Sequence, residues 1–404
     1  MKRQLDRYKE ELMDVILAIF IGVIIGAVDA VFGIVLLKIT EFRMQHIFWL
    51  VPILPIAGLI ILFLYKRFNE ECMKGMTLVF QTGLGDRESI PKMLIPLVIV
   101  CTWITHLFGG SAGREGVAVQ LGATIAHTAG RIYNRPNNSR ILLITGMAAG
   151  FAGLFQTPFA ATLFAMEVMI AGAIQYDALL PALTAAFVAS KTSHFLGLEK
   201  FTVKLTGTLD WNIETVWKMA LVSICFGVVG GMFAYLLKKT KGWMAKLIHN
   251  PFLRIGAFGI VLASLLLLLH SGRYSGLGTN LINDCFNYGK VYGYDWVLKL
   301  ILTILTLAIG YQGGEVTPLF AIGATLGAVL ATVLGLPIAL IAALGYAAVF
   351  GSATNTILAP MIIGAEIFGP EYILYFAIVC SIAYVFNGNQ TIYGAQVKFN
   401  YFQS

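Results

Sequence analysis

The segment GGSAGREGVAVQLGAT, residues 109–124, sets Arg114 and Glu115 between Gly113 and Gly116, at the head of an apolar run that reaches Ile132. Glycines before the pair and an unbroken apolar run after it predict that the two charges open a helix. Such an end presents unpaired N–H groups and the positive pole of the helix dipole, so it favours an anion, a carboxylate side chain included. GEVTPLFAIGAT from Gly314 repeats the arrangement with Glu315, Val316 and Thr317, and Pro318 falls where proline suits a first helical turn. Two helix ends aimed at one point make an anion site without a full buried cation. Glu115 can fill that site as a tethered competitor, and a proton taken up by its carboxyl group would release it and admit a mobile anion. This is chemistry that couples anion movement to proton movement. A different chemistry lies in the same stretch, because GGSAG fits Gly-x-Ser-x-Gly and Ser111 with His106 or His127 suggests an intramembrane serine hydrolase. That elbow belongs after a strand of a soluble sheet, however, and no acid partner is evident.

The elements that hold these residues must be suited to lipid. The chain of 404 residues is 58% hydrophobic and 12% charged, with a mean hydropathy of +0.80, more than a water-soluble domain of this size needs. Apolar runs near 13–37, 48–64, 91–108, 141–155, 213–237, 255–269, 296–310, 318–350 and 372–386 predict roughly ten or more segments, several shorter than the ~20 residues of a straight crossing, so tilted, broken or re-entrant helices are expected. The runs are continuous rather than alternating, which predicts an all-α polytopic membrane protein and not a barrel. The 42 glycines suit close helix contact in lipid.

Residues 1–12, MKRQLDRYKEEL, read as an interfacial helix rather than a cleaved leader. The rest is expected to divide into a first helical half at about 13–198, a linker at about 199–212 and a second half at about 213–404, one transport domain with no soluble C-terminal regulatory domain expected after Ser404. The net charge of +7 comes largely from short basic connections, Arg131 with Arg135 and Arg140, and Lys238, Lys239, Lys241 and Lys246 with Arg254. These suit cytoplasmic loops better than a nucleic-acid footprint. The five cysteines are scattered, and nucleotide-binding or zinc-peptidase motifs are lacking, so neither a metal nor an organic cofactor is implied.

The chain also repeats itself. GREGVAVQLGAT from Gly113 lies over GEVTPLFAIGAT from Gly314, matching Gly122-Ala123-Thr124 to Gly323-Ala324-Thr325. At nearly the same offset, GMAAGFAGLFQTPFAATLFAMEV from Gly146 lies over GYAAVFGSATNTILAPMIIGAEI from Gly345, matching Thr157 to Thr356 and Glu167 to Glu366. Transporters built of two halves place substrate at interrupted helices from both halves, which points to 109–118 and 312–319.

With these residues in view, the sequence resembles the CLC family of chloride channels and proton-coupled antiporters. GREGV at Gly113–Val117 stands for the family's G-[KR]-E-G-P, GEVTP at Gly314–Pro318 for its G-x-F-x-P, and FQTPFAATLFAMEVM at Phe155–Met169 for its FNAPLAGxLFxxEE segment; Tyr393 in TIYGA completes the set. The resemblance implies two inverted helical repeats, a homodimer and one pore per subunit in a cell membrane, a prokaryotic inner or cytoplasmic one. It also implies the gating role for Glu115 and the pore-tyrosine role for Tyr393.

The departures from the family pattern point to a branch. Where chloride-type members carry G-S-G-I-P, this chain has GMTLV at Gly75–Val79, so the thioether of Met76 replaces a serine hydroxyl; Val117 replaces a proline and Val316 a phenylalanine. These changes resemble the fluoride/proton antiporters of the family, the CLC-F branch, with a chloride/proton antiporter or passive anion channel on the same scaffold as the alternative. Fluoride is small and strongly hydrated, so Thr317 and Tyr393 are expected to donate hydroxyls and Phe80, one turn from Met76, its positive ring edge. Phe80 and Met76 read equally well as packing residues. Val168 stands where chloride/proton antiporters of the family carry a second glutamate, so Glu315 is expected to take part in proton transfer instead. Glu167 and Glu366 read either as bonding helix ends near the dimer interface or as taking a proton role.

Overall fold

The computed structural model describes residues 2–133, 138–205, 207, 209–210, 212–287 and 289–398, with side chains from residue 10 onward and outside 134–139. Arg135 and Ser404 lie outside the described residues. The first helices are α1 (Lys2–Gln45), α2 (Ile47–Leu50), α3 (Leu54–Phe68), α4 (Met76–Leu84), α5 (Leu94–Leu107), α6 (Glu115–Tyr133), α7 (Asn138–Phe155), α8 (Pro158–Glu167) and α9 (Leu179–Phe195). After α9 come α10 (Ile213–Leu247), α11 (Pro251–Leu268), α12 (Thr279–Phe286), α13 (Asp295–Ile309), α14 (Val316–Leu334), α15 (Ile338–Thr354), α16 (Leu358–Phe368) and α17 (Ile373–Val385). One short parallel pair, Ile170–Ala171 with Val397–Lys398, ties the C-terminal segment to the end of α8.

Local signals explain the boundaries. Asn212 and Asn250 cap α10 and α11 by accepting the N–H groups of Thr215 and Phe252, and prolines open α8 and α11. The apolar run 318–350 is split by Gly335, in the left-handed region with φ +66°, and Pro337. Residues 2–12 are no separate helix but the first turns of α1, which has 44 residues and at 1.5 Å per residue is roughly twice as long as a bilayer core is thick. Among the described residues, five helical stretches are long and apolar enough to cross a membrane. Phe20, Val31, Phe63 and Leu268 are exposed on these helices, as residues facing lipid would be.

The repeat is visible in the packing. α6 lies along α7 as α14 lies along α15, and α1 meets α9 as α10 meets α17. The matched glycines bring backbones into direct contact: a Cβ on Gly122 would stand 2.0 Å from the Gly146 carbonyl oxygen, and a Cβ on Gly323 2.0 Å from that of Gly345. Backbone touches backbone there, so no side chain can give way. Gly122→Ala is therefore expected to cost at least about 3 kcal/mol, more than ordinary overpacking, because α6 and α7 must separate. Size-exclusion chromatography in detergent should show loss of the monodisperse species.

The aligned glutamates are reciprocal clamps. The Glu167 carboxylate, at the end of α8, accepts the N–H groups of Ile357 at 2.6 Å, Leu358 at 3.2 Å and Ala359 at 3.3 Å, at the start of α16. Glu366, near the end of α16, accepts those of Phe159 at 3.3 Å and Ala160 at 2.8 Å, at the start of α8. Each carboxylate satisfies the orphan donors of the other helix. This places both residues at helix ends, as expected from the sequence.

Candidate anion and proton site

The two glycine-rich segments meet where the repeats meet. Gly113 and Gly314 exchange both backbone hydrogen bonds, N–H to O at 2.5 and 2.7 Å, as an isolated antiparallel pair. Such an exchange has local two-fold symmetry, so α6 and α14 start on either side of one local axis. The pairing demands small residues: a Cβ on Gly113 would stand 2.9 Å from Pro318 Cδ and 3.0 Å from the Gly314 carbonyl oxygen.

Glu115, the first residue of α6, does not point to solvent. It is 1% exposed, and its Oε2 accepts the Thr317 N–H at 3.2 Å, the Thr317 hydroxyl at 2.5 Å and the Arg114 N–H at 3.3 Å. The carboxylate of one repeat thus sits on the first turn of the helix that opens the other. Arg114 Nε lies 3.7 Å from Glu115 Oε1, an ion pair of adjacent residues whose guanidinium Nε and Nη1 make no hydrogen bond.

Beside this seat lies a cavity of about 340 Å³ lined by Met76, Phe80, Glu315 and Tyr393, together with Gly75, Gln120, Lys74 and Lys241. Gly75 precedes α4 with φ +50°, a conformation open to glycine, and lets the chain pass the Gln120 amide. A Cβ there would stand 3.1 Å from Gln120 Oε1. Phe80 and Tyr393 stack with ring centroids 5.1 Å apart. Glu315 Oε2 reaches toward α6 and lies 3.9 Å from where a Cβ on Gly116 would stand.

The predicted residues therefore fall into three groups. Gly113, Arg114, Glu115, Gly116 and Thr317 form the seam; Met76, Phe80, Glu315 and Tyr393 line the cavity; Val117 and Val316 are buried in the apolar core. Gln120 was not singled out from the sequence, and Lys241 was read only as part of a basic connection. Gln120 carried a signal, being a lone amide in the apolar turn after Glu115, and its Oε1 is buried without a partner. Lys241 carried no signal for this cavity, because it arrives from α10. The Val168 side chain, at the position read as lacking the second glutamate, is buried, and its carbonyl accepts from the Gln396 amide at 2.8 Å.

The hydrolase reading finds no support in this geometry. The Ser111 hydroxyl meets Thr303 Oγ1 and Lys299 Nζ, each at 2.9 Å. The His106 ring nitrogens lie against the Thr102 and Ala112 carbonyls, and His127 Nε2 is 3.2 Å from the Glu88 carbonyl.

Comparison with known proteins agrees with the geometry. Residues 57–388 match the family model described as voltage gated chloride channel. A chloride/fluoride channel protein of Pseudomonas syringae pv. tomato is 35% identical over 387 residues, covering 94% of this chain and 85% of its own. An H(+)/Cl(-) exchange transporter, ClcA, of Cronobacter sakazakii is 27% identical over 358 residues, covering 81% of this chain and 74% of its own. Among solved structures, a CLC-type fluoride/proton antiporter superposes with a TM-score of 0.95 at 51% identity, over 97% of this chain and 99% of that one. A slow cyanobacterial Cl-/H+ antiporter, 23% identical over 94% of this chain and 96% of that one, shares the fold with a TM-score of 0.81. Two helical repeats that meet at Gly113 and Gly314, a glutamate seated between them and these likenesses lead to one conclusion: the chain is a multi-pass membrane protein of the voltage-gated chloride channel family, the CLC family.

Proposed function

We propose that the protein exports fluoride in exchange for protons moving inward, as a homodimer in a prokaryotic cell membrane, with one pore per subunit. The observation that carries this reading is the seat of Glu115: its carboxylate accepts the N–H and O–H of Thr317 at the start of α14, the place a small anion would take. Protonation removes the charge for which that seat is built, so the side chain leaves and a fluoride ion takes the Thr317 donors. Return of the deprotonated carboxylate displaces fluoride. Each cycle carries an anion and a proton in opposite directions, and the external proton supply drives export.

The case for fluoride rests on the lining. Met76 supplies a thioether where a chloride site of the family carries a hydroxyl, while Phe80 and Tyr393 stack to form one wall of the cavity. The compact donors are the Thr317 pair and the Tyr393 hydroxyl, suited to a small hard acceptor. The likeness to a fluoride/proton antiporter at 51% identity supports the same reading. Glu315, on the cavity wall, takes the proton between Glu115 and the inner solution.

Purified protein in liposomes loaded with fluoride or chloride tests this directly, with anion efflux read by electrode and internal pH by a trapped dye. Fluoride efflux with coupled proton uptake and little chloride flow is expected. Comparable chloride flow would return the protein to chloride exchange, and anion flow without proton movement would make it a channel.

A further inference from the structure

Lys299, on α13, has no place in the exchange chemistry, yet it is 0% exposed inside a helix that otherwise reads as a membrane segment. Its Nζ lies 2.7 Å from the Gly276 carbonyl, 2.9 Å from Ser111 Oγ and 3.1 Å from the Tyr274 carbonyl. Three acceptors match the three N–H donors of an ammonium group. Among the described residues no carboxylate pairs with it, and an ionisable side chain set in a membrane segment without one is too costly to be incidental.

The bonds of Lys299 converge on the lead-in to α6. Ser111, also 0% exposed, is held by Lys299 and Thr303 through its hydroxyl and by Thr306 through its N–H at 3.2 Å. Gly110 accepts from the Gly276 N–H at 3.1 Å, and the Ala112 carbonyl meets His106 Nε2 at 3.0 Å. Gly113 then pairs with Gly314. Every residue from Gly110 to Gly113 is therefore fixed, and Lys299 ties this lead-in to the loop before α12. That loop is anchored in turn, because Asp295, one turn before Lys299 on α13, accepts the Tyr274 hydroxyl at 2.6 Å and the Arg273 guanidinium at 2.9 Å.

The equivalent lead-in of the second repeat is built differently. Gly310, Tyr311, Gln312 and Gly313 line the cavity, whereas Ser111 is sealed from it. One lead-in is sealed from the cavity and the other lines it.

We propose that Lys299 is a positioning residue for the Glu115 cycle: through Ser111 it holds the α6 lead-in still, so that the Glu115 side chain moves without its backbone. A rigid lead-in makes the seat available to either carboxylate or fluoride but not to both. A loosened one would let fluoride pass without a proton. The inference rests on the exchange reading given above.

The experiment measures the proton-to-fluoride ratio, from the potential at which net flow stops, for the intact protein and for Lys299→Met and Ser111→Ala. Lys299→Met keeps much of the side-chain volume and removes the nitrogen; Ser111→Ala leaves Lys299 its two carbonyls and removes the hydroxyl that Lys299 and Thr303 hold. Both are expected to raise uncoupled turnovers roughly 10-fold, the change in rate that loss of one charge-assisted bond corresponds to, so the ratio falls while fluoride still flows. Fluoride and proton flux slowing in proportion, at an unchanged ratio, would mean a purely structural role and overturn the proposal. If Lys299→Met does not fold, Ser111→Ala decides by the same criterion. Fluoride efflux without proton uptake in the unsubstituted protein would be a different failure, that of the exchange reading itself.

Discussion

Glu115→Gln is expected to reduce fluoride-driven proton uptake to the level of protein-free liposomes. The amide has nearly the volume of the acid, and its oxygen can still accept from Thr317, whose N–H and O–H now meet Glu115 Oε2. What it cannot do is bind and release a proton near neutral pH. The seat is also weaker, because a bond to a charged acceptor contributes about 1.5–3 kcal/mol and a neutral one about 1 kcal/mol. Fluoride then competes with a poorer occupant, so fluoride flow should persist, uncoupled from protons, rather than stop. The assay is the paired electrode and internal-pH measurement on reconstituted protein. Uphill proton movement retained in this variant would remove Glu115 from the mechanism.

Glu315→Gln should also abolish proton uptake, by interrupting the route rather than the carrier. Glu115 is buried at the seam, and the carboxyl group on the wall of the adjoining cavity is Glu315, with Oε2 directed toward the first turn of α6. A glutamine there keeps the shape of the lining but offers no titratable group between Glu115 and the cavity. Fluoride efflux is expected to fall at least about 10-fold, since general acid–base groups contribute ~10²–10⁴-fold to the steps they serve and an obligatory exchanger waits on its proton. The effect differs from that of Glu115→Gln, in which anion flow survives. Proton pumping at the unsubstituted rate in Glu315→Gln would show that protons reach Glu115 another way.

The resemblance to the family was carried by short motifs, and these are also the parts of the site legible along the chain. Glycine-flanked Glu115 and Glu315 announce helix starts, because capping and chain reversal depend on a few neighbouring residues. The offset between the repeats was legible for the same reason, and the matched glycines Gly122 and Gly323 prove to be equivalent contact points, each against the carbonyl of a matched partner, Gly146 or Gly345. Glu167 and Glu366 could be read as helix-end carboxylates. That each clamps the helix bearing the other could not, because the donors come from Phe159, Ala160 and residues 357–359 across the fold.

Other features left weaker traces. Lys299 stood in view as a lone cation inside the apolar run 296–310, but its meaning lies in the Gly276 and Tyr274 carbonyls and in Ser111, all remote in sequence. Ser111 itself fits a nucleophile motif, and burial together with its bonds to Thr303 and Lys299 decides against that use.

The sequence by itself determined that the chain is helical and membrane-embedded, that it is built of two related halves, and that its charged chemistry stands at two glycine-rich helix starts. These follow from composition, run length and local backbone preference, which act over a few residues. Only the tertiary structure decided that the two starts meet as Gly113 against Gly314, that Glu115 crosses to the Thr317 donors of the other half, and that Gln120, Lys241 and Glu315 share a cavity with Met76 and Tyr393. Those facts depend on which distant surfaces pack together, and the close packing of whole helices, rather than any local propensity, sets them.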